Sequence, residues 1–438
     1  EGEAAVLAAH LEAGGDPARA AAYYMRAATQ MLGGGELASA RDLVSRGLAC
    51  GPGDDTRAKL LMLDVEAHRW LGDVERSVRA AEEAMLYARE GTETHTRALA
   101  MALLSHLKLG HADRHRELLK IAMPFLAMAQ PTNAACRLAS AAGTGALFSG
   151  DLETAEDIEP IVTRLVDGDI DLHARAQLHV FRAFLSDARG DLEAQIQHFD
   201  AAATYLDQAG DARHALLHRT NGAFARTLIG DYEDAATRLF AVLADAEARG
   251  LRFIVDTTHS DLCATLERLG RYEDADKHAV AAVEGFEREG DQRMEGASRG
   301  YRAQALFKLG KTAHAFTEIH AGLALGRVAR QILPYMLALL SNMELGVGRA
   351  DAALEHAKEA LDVFLETRSD GAREVYVRVA LARALGACGH ADEARAALAE
   401  AHAQVDRRLA LIGDAHYRAS FERIEENAAV LAWAARER

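Results

Sequence analysis

Small apolar residues recur along the chain at fixed distances from a glycine, and polar residues fill the positions just behind it. The clearest copies are Gly150-Asp151 with Ala155, Gly230-Asp231 with Ala235, Gly270-Arg271 with Ala275 and Gly310-Lys311 with Ala315. Gly348-Arg349 with Ala353 and Gly389-His390 with Ala394 continue the series. Gly72-Asp73, Gly110-His111 and Gly190-Asp191 keep the turn but place Ser77, His115 and Gln195 where the alanine stands elsewhere. From Gly150 to Gly310 every step is 40 residues, and the neighbouring steps are 37 to 41. Glycine at a helix end takes the left-handed conformation that other residues resist. The acids behind it, as in Asp231-Tyr232-Glu233-Asp234, suit the dipole of the next helix N-terminus. A second set of breaks, Gly91, Gly210, Gly250 and Gly290, halves each unit. The pattern predicts a helix over 3–13, ten helix pairs over 17–411 and a last helix over 414–436.

Two further columns support this. Seven residues before the turn glycine stand Gly143, Ala183, Ala223, Cys263, Ala303, Ser341 and Ala382. Twelve after it stand Ala84, Ala122, Ala202, Ala282, Gly322, Ala360 and Ala401, with Val162 and Val242 as breaks in the column. Small residues at fixed depth let two helices cross closely. The same need recurs because each unit packs on its neighbours. The expected fold is all-α: a right-handed superhelical solenoid of about ten helix-turn-helix repeats of about 40 residues over 1–411, with a C-terminal capping helix and tail over 412–438.

Composition narrows the function. Half of the 438 residues are hydrophobic but only 6% are aromatic, and there are six prolines, which suits long, closely approaching helices. The net charge of −16 and the lack of a basic cluster argue against nucleic acid as a partner. Cys50, Cys136, Cys263 and Cys388 are far apart, which fits a reducing, cytoplasmic location rather than a disulfide framework or a zinc site. No apolar run is long enough to span a membrane, and no secretory signal pattern is present. The chain opens inside an apparent helix without an initiator methionine, as a piece of a longer protein would.

The small residue in the first helix, the turn glycine with its polar follower and the small residues of the second helix sit at the offsets of the tetratricopeptide repeat, which this chain resembles over nearly its whole length. The longer period resembles the long-helix variety found in regulators. Where that family often carries a bulky residue, eleven before the turn, this chain has Arg219, His259 and Arg299, so irregular first-helix packing is expected there. The opening Ala8-Ala9-His10-Leu11-Glu12-Ala13-Gly14-Gly15-Asp16-Pro17, with Ala20-Ala21-Ala22-Tyr23-Tyr24, looks like the start of repeat regions that follow an ATPase module in large bacterial regulators. The ending Ser420-Phe421-Glu422-Arg423-Ile424-Glu425-Glu426-Asn427 is similar to the C-terminal tail of bacterial serine/threonine kinases with repeats. These likenesses imply an attached or separate kinase or ATPase module as a partner.

Catalytic and metal chemistry finds little support. Gly310-Lys311-Thr312 resembles the end of a phosphate loop, but Ala305 stands where that loop needs a glycine. His111 and His115, and His214 and His218, share helix faces without an identifiable third ligand. Acidic runs such as Glu425-Glu426 read as solvated faces. No cofactor, metal or catalytic set is expected, and the chain reads as a non-enzyme.

Binding is expected on the first helices, which the resemblance places along a concave groove. Six residues before the turn the chain has Glu66, Leu104, Thr144, Phe184, Phe224, Ala264, Gln304, Asn342 and Arg383, chemically varied where the packing columns are constant. Thr144, Phe184, Phe224, Gln304, Asn342 and Arg383 are groove candidates, with Arg268, Phe307, Lys308, Tyr335 and Tyr376 nearby. Phe184 and Phe224 fit either interhelix packing or an aromatic pocket for a peptide. The expected function is a non-catalytic protein- or peptide-binding scaffold in a bacterial signalling protein. The alternative is a small-ligand sensor domain of a transcriptional or ATPase regulator.

Overall fold

The computed structural model describes residues 3–326, 330–367 and 371–437, and among these the regular structure is helical, with no strand. The helices are α1 (Glu3–Ala13), α2 (Pro17–Gly34), α3 (Leu37–Ala49), α4 (Asp54–Trp70), α5 (Val74–Tyr87), α6 (Glu93–Lys108), α7 (Ala112–Met128), α8 (Asn133–Phe148) and α9 (Leu152–Val166). Next come α10 (Leu172–Arg189), α11 (Leu192–Gln208), α12 (Ala212–Leu228), α13 (Tyr232–Ala248), α14 (Arg252–Arg268), α15 (Tyr272–Glu289) and α16 (Gln292–Lys308). The last are α17 (Thr312–Gly326), α18 (Leu333–Gly346), α19 (Ala350–Thr367), α20 (Glu374–Ala387), α21 (Ala391–Leu411), α22 (Ala415–Arg423) and α23 (Glu425–Glu437). Short 3-10 turns at Arg330–Ile332 and Gly371–Arg373 lead into α18 and α20. No described helix is long and apolar enough to cross a membrane.

The chain forms two compact units, Glu1–Gly145 with Pro160–Ile170, and Ala146–Glu159 with Asp171–Arg438. In the first, Gly15 has positive φ, the Asp16 side chain accepts from Arg19 N and Pro17 opens α2, so the Gly-Gly-Asp-Pro string is a helix stop followed by a cap. Tyr24 is fully buried among Ala20, Ala28, Leu43 and Leu60, and its hydroxyl donates to Glu12.

The packing columns meet across each turn. Ser77 Oγ donates to Val65 O at 3.1 Å, His115 Nδ1 lies 3.0 Å from Leu103 O, and Ser341 Oγ donates to Ala353 O at 2.8 Å. In each case the residue five after the turn glycine touches the residue seven before it. A polar residue is tolerated in these columns where the facing backbone carbonyl satisfies it. Ala183, Ala223, Cys263 and Ala303 are almost wholly buried, as are Ala202, Ala282 and Ala360. His111 caps α7 and faces His106, His214 bonds Asp211, and His218 stacks on Phe199, so neither histidine pair converges. Gly310-Lys311-Thr312 makes the turn between α16 and α17.

The irregular packing expected at Arg219, His259 and Arg299 does not occur. Helices α12, α14 and α16 each run 17 residues, because the polar heads find partners. Arg219 pairs with Asp207, His259 Nδ1 meets His278 Nδ1 at 2.7 Å, and Arg299 binds Glu295 and Glu318 at 2.8 and 2.9 Å.

Within the second unit, distant parts of the chain meet. A Cβ at Gly150 would lie 2.8 Å from Thr367 O, and one at Gly371 would lie 2.7 Å from Asp187 O. Arg408 donates to the Gly371 carbonyl. The first helices α12, α14, α16, α18 and α20 pack one on the next within this unit.

Candidate functional site

The first helices of the second unit carry two adjoining cavities. The inner chamber, about 70 Å³, is walled by Phe224 and Thr227 of α12, Ala264 and Glu267 of α14, Tyr301 and Gln304 of α16, Tyr335 of α18 and Tyr376 of α20. The outer cleft, about 410 Å³, adds Phe307, Lys308, Asn342 and Arg383. Both share Tyr232, Glu267, Arg268, Gln304, Tyr376 and Glu426, so the two adjoin along these side chains.

Four aromatic rings form a ladder across the chamber. Phe224 lies 6.5 Å from Tyr301, Tyr301 lies 5.9 Å from Tyr335, and Tyr335 lies 5.3 Å from Tyr376. The Arg373 guanidinium sits 4.4 Å from the Tyr335 ring centre and 5.5 Å from that of Tyr301, within cation–π range. It also donates to the Tyr301 hydroxyl at 2.5 Å. The Tyr335 hydroxyl donates to Gln304 Oε1 at 2.7 Å, and Asn342 hydrogen-bonds Tyr376. Burial pushes the phenols of Tyr335 and Tyr376 up and that of Tyr232 to about 12, so they serve as neutral hydroxyls.

The C-terminal helices close one side of the cleft. Gly413 and Asp414 donate their backbone N–H groups to Glu193 Oε2 at 2.7 and 3.1 Å. His416 Nε2 meets Asp231 Oδ2 at 2.9 Å. Asp73, Asp191, Asp211 and Asp291 each cap the helix behind them through the side chain, whereas Asp231 makes no such bond. Its carboxylate is turned to the tail instead. Phe421 is buried with Phe199, Ile229, Val375 and Val405, and Asn427 Nδ2 donates to Phe421 O at 2.8 Å across the bend between α22 and α23.

Glu426 then reaches the cleft. Arg268 Nη1 donates to both of its carboxylate oxygens, at 2.8 and 3.1 Å. Burial disfavours the Arg268 charge, but Glu426, Tyr232 and Glu267 hold its pKa above the ordinary value. Burial pushes the Glu267 carboxyl up, against the pull of Arg268 and Lys308. Removing one partner of so buried a pair typically costs about 3–5 kcal/mol. The solvated face expected for Glu425-Glu426 is therefore half right in kind: Glu425 is 66% exposed, but Glu426 is only 6% exposed and ion-paired. The sequence pattern misses this because the partner lies 158 residues away.

Among the groove candidates, Phe224, Arg268, Gln304, Tyr335 and Tyr376 line the chamber. Phe307, Lys308, Asn342 and Arg383 line the cleft. Thr144 is buried in the first unit, and Phe184 sits edge-on between Phe148 and Phe199 at 5.0 and 5.3 Å; neither lines these cavities. Sequence reasoning does not pick Tyr232, Glu267, Tyr301, Arg373, Phe421 or Glu426 as lining residues, and reads Glu426 as solvated. Tyr232 and Tyr272 both stand two residues after a turn glycine, which is a usable signal. Arg373 and Glu426 come from irregular or terminal segments and follow no period. Among the described residues, no group of three or more His, Cys, Asp and Glu side chains is placed to hold a metal ion.

No protein-family model matches this sequence, and no curated protein matches it either. Solved structures do. A Rap protein complexed with competence and sporulation factor aligns over 79% of this chain and 100% of its own, with 13% identity and a TM-score of 0.53. A signal-transduction ATPase with a tetratricopeptide-repeat sensor, from Pyrococcus horikoshii, aligns over 81% of this chain and 55% of its own, with 15% identity and a TM-score of 0.49. NprR in complex with its cognate peptide NprX aligns over 68% and 88%, with 14% identity and a TM-score of 0.44. The fold is that of tetratricopeptide-type helical repeats.

Proposed function

We propose that the chain is a non-catalytic scaffold that binds a peptide or protein segment in the cleft of its second unit, as the cytoplasmic sensor segment of a larger bacterial signalling protein. The attached module would be a kinase or an ATPase. The observation that carries this reading is the meeting of Arg268, Gln304, Phe307, Lys308, Asn342, Tyr376 and Arg383 in one cleft, from helices spread over more than a hundred residues. Aromatic walls with a few polar and charged groups suit side chains presented by a peptide. The Rap protein of the same fold is recorded in complex with competence and sporulation factor, which supports the choice.

Panning the full chain against a random peptide library tests it. Enriched peptides are expected to lose at least tenfold in affinity on a Lys308→Ala, Arg383→Ala double variant whose circular dichroism is unchanged. Both residues are exposed, so the fold should survive the change. Equal binding by wild type and variant would sink the reading. Should a metabolite library raise the melting temperature while no peptide is enriched, the small-ligand alternative takes its place.

A further inference from the structure

The C-terminal segment holds the cleft with the same chemistry that a partner would need. Setting aside the tail's own Arg423, Glu425 and Glu426, the charged residues of the cleft wall are Arg268, Lys308 and Arg383 against Glu267. That is a locally positive mouth in a chain of net charge −16. Glu426 supplies the carboxylate that Arg268 takes in, and Phe421 and Ile424 lie against the apolar wall of the chamber. Other polar contacts of the tail are partly open to solvent. His416 is 64% exposed where it meets Asp231, which is 10% exposed, and Arg383 meets Glu425 at 3.5 Å with side chains 40% and 66% exposed, so this second pair contributes little.

We propose that residues 415–426 are a resident ligand: the cleft recognises a helix end that carries an apolar anchor and, just beyond it, a carboxylate, and partner and tail compete for Arg268. The proposal rests on the peptide-binding reading and adds the chemical class of the partner and the regulation of the site. Tethering gives the tail a high effective concentration, so a partner in solution must outbid an intramolecular ligand. The resting chain is thus closed. Any change that loosens the tail, such as loss of the Glu193 contacts with Gly413 and Asp414, opens the site without touching Arg268.

The probe is a labelled synthetic peptide of residues 415–437, with a second peptide carrying Glu426→Gln. Both are titrated into the full chain and into its Glu193→Ala and Glu426→Gln variants, each checked for helicity. The loosened chains are expected to bind the native peptide at least tenfold more tightly than wild type. The Glu426→Gln peptide should bind at least tenfold more weakly to each, and adding Arg268→Gln to the Glu193→Ala chain should remove the preference for the carboxylate. Saturating peptide should also speed hydrogen exchange over α22 and α23 of the wild-type chain. Binding that is no tighter in either loosened chain, or that ignores the carboxylate, overturns the proposal. If library peptides still bind in a manner that depends on Lys308 and Arg383, the competition idea fails alone; if they do not, the peptide-binding reading fails with it.

Discussion

Asp256 sits on α14 against Gly285, where a Cβ would come within 2.2 Å of its carboxyl carbon. Glycine is what lets an acid fit there. Burial pushes its pKa up to about 6 from the ordinary 3.8, and Arg288, 3.9 Å away, is too far to offset this. The sign follows from linkage. A carboxyl whose folded pKa lies above its unfolded value favours the folded state at low pH, and that contribution is lost as pH rises through about 6. Asp256→Asn should therefore stabilise the chain by about 1–2 kcal/mol at pH 8 and change little near pH 4, as measured by urea unfolding at the two pH values. Asp231 shows another residue-scale trade. It gives up the capping bond that Asp191 and Asp211 make and holds His416 of the tail.

At the scale of elements, the turn glycines share one backbone conformation but not one environment. Gly230 has φ +89°, and a Cβ there would lie 2.6 Å from Ser420 O and 2.8 Å from Ile424 Cγ1. Gly270 has φ +74° with nothing within 4 Å. Alanine at either site meets the left-handed penalty of about 1–2 kcal/mol. At Gly230 it must also push α22 away, which adds about 1–3 kcal/mol of overpacking. Hydrogen exchange over residues 415–437 should quicken in Gly230→Ala and stay as in wild type in Gly270→Ala. Equal protection of the tail in both variants would mean that the turn does not seat it. The paired columns of small residues make the matching comparison possible, since the two turns are otherwise interchangeable parts of the repeat.

For the molecule as a whole, nearest-neighbour stacking means that stability is a sum of local terms. Long arrays of this kind need not unfold in one step. The two tryptophans report on different units, Trp70 in the first and Trp433, in α23, in the second. Tyr24→Ala removes a fully buried ring from the first unit, and such a truncation costs about 3–5 kcal/mol. In single-tryptophan chains made by Trp→Phe, this variant should lower the urea midpoint seen by Trp70 and leave that seen by Trp433 where it was. Midpoints that fall together would show a single cooperative unit.

The 40-residue period, the turn glycines and the two small columns are local and periodic, and they were enough to determine the paired helices over 17–411 and their breaks; the single last helix expected over 414–436 is instead broken at Ile424 into α22 and α23, beyond the reach of the period. Gln304, Asn342 and Arg383 could be placed near one another for the same reason: a repeat converts sequence spacing into spatial alignment. Tertiary structure alone decided what closes the cleft. Arg373 comes from a 3-10 turn, Phe421 and Glu426 come from the chain's end, and the Arg268–Glu426 contact spans 158 residues. No period links such residues. Their meeting depends on how the second unit brings its last helices back to its earlier ones, which follows from the accumulated packing of every helix pair between them.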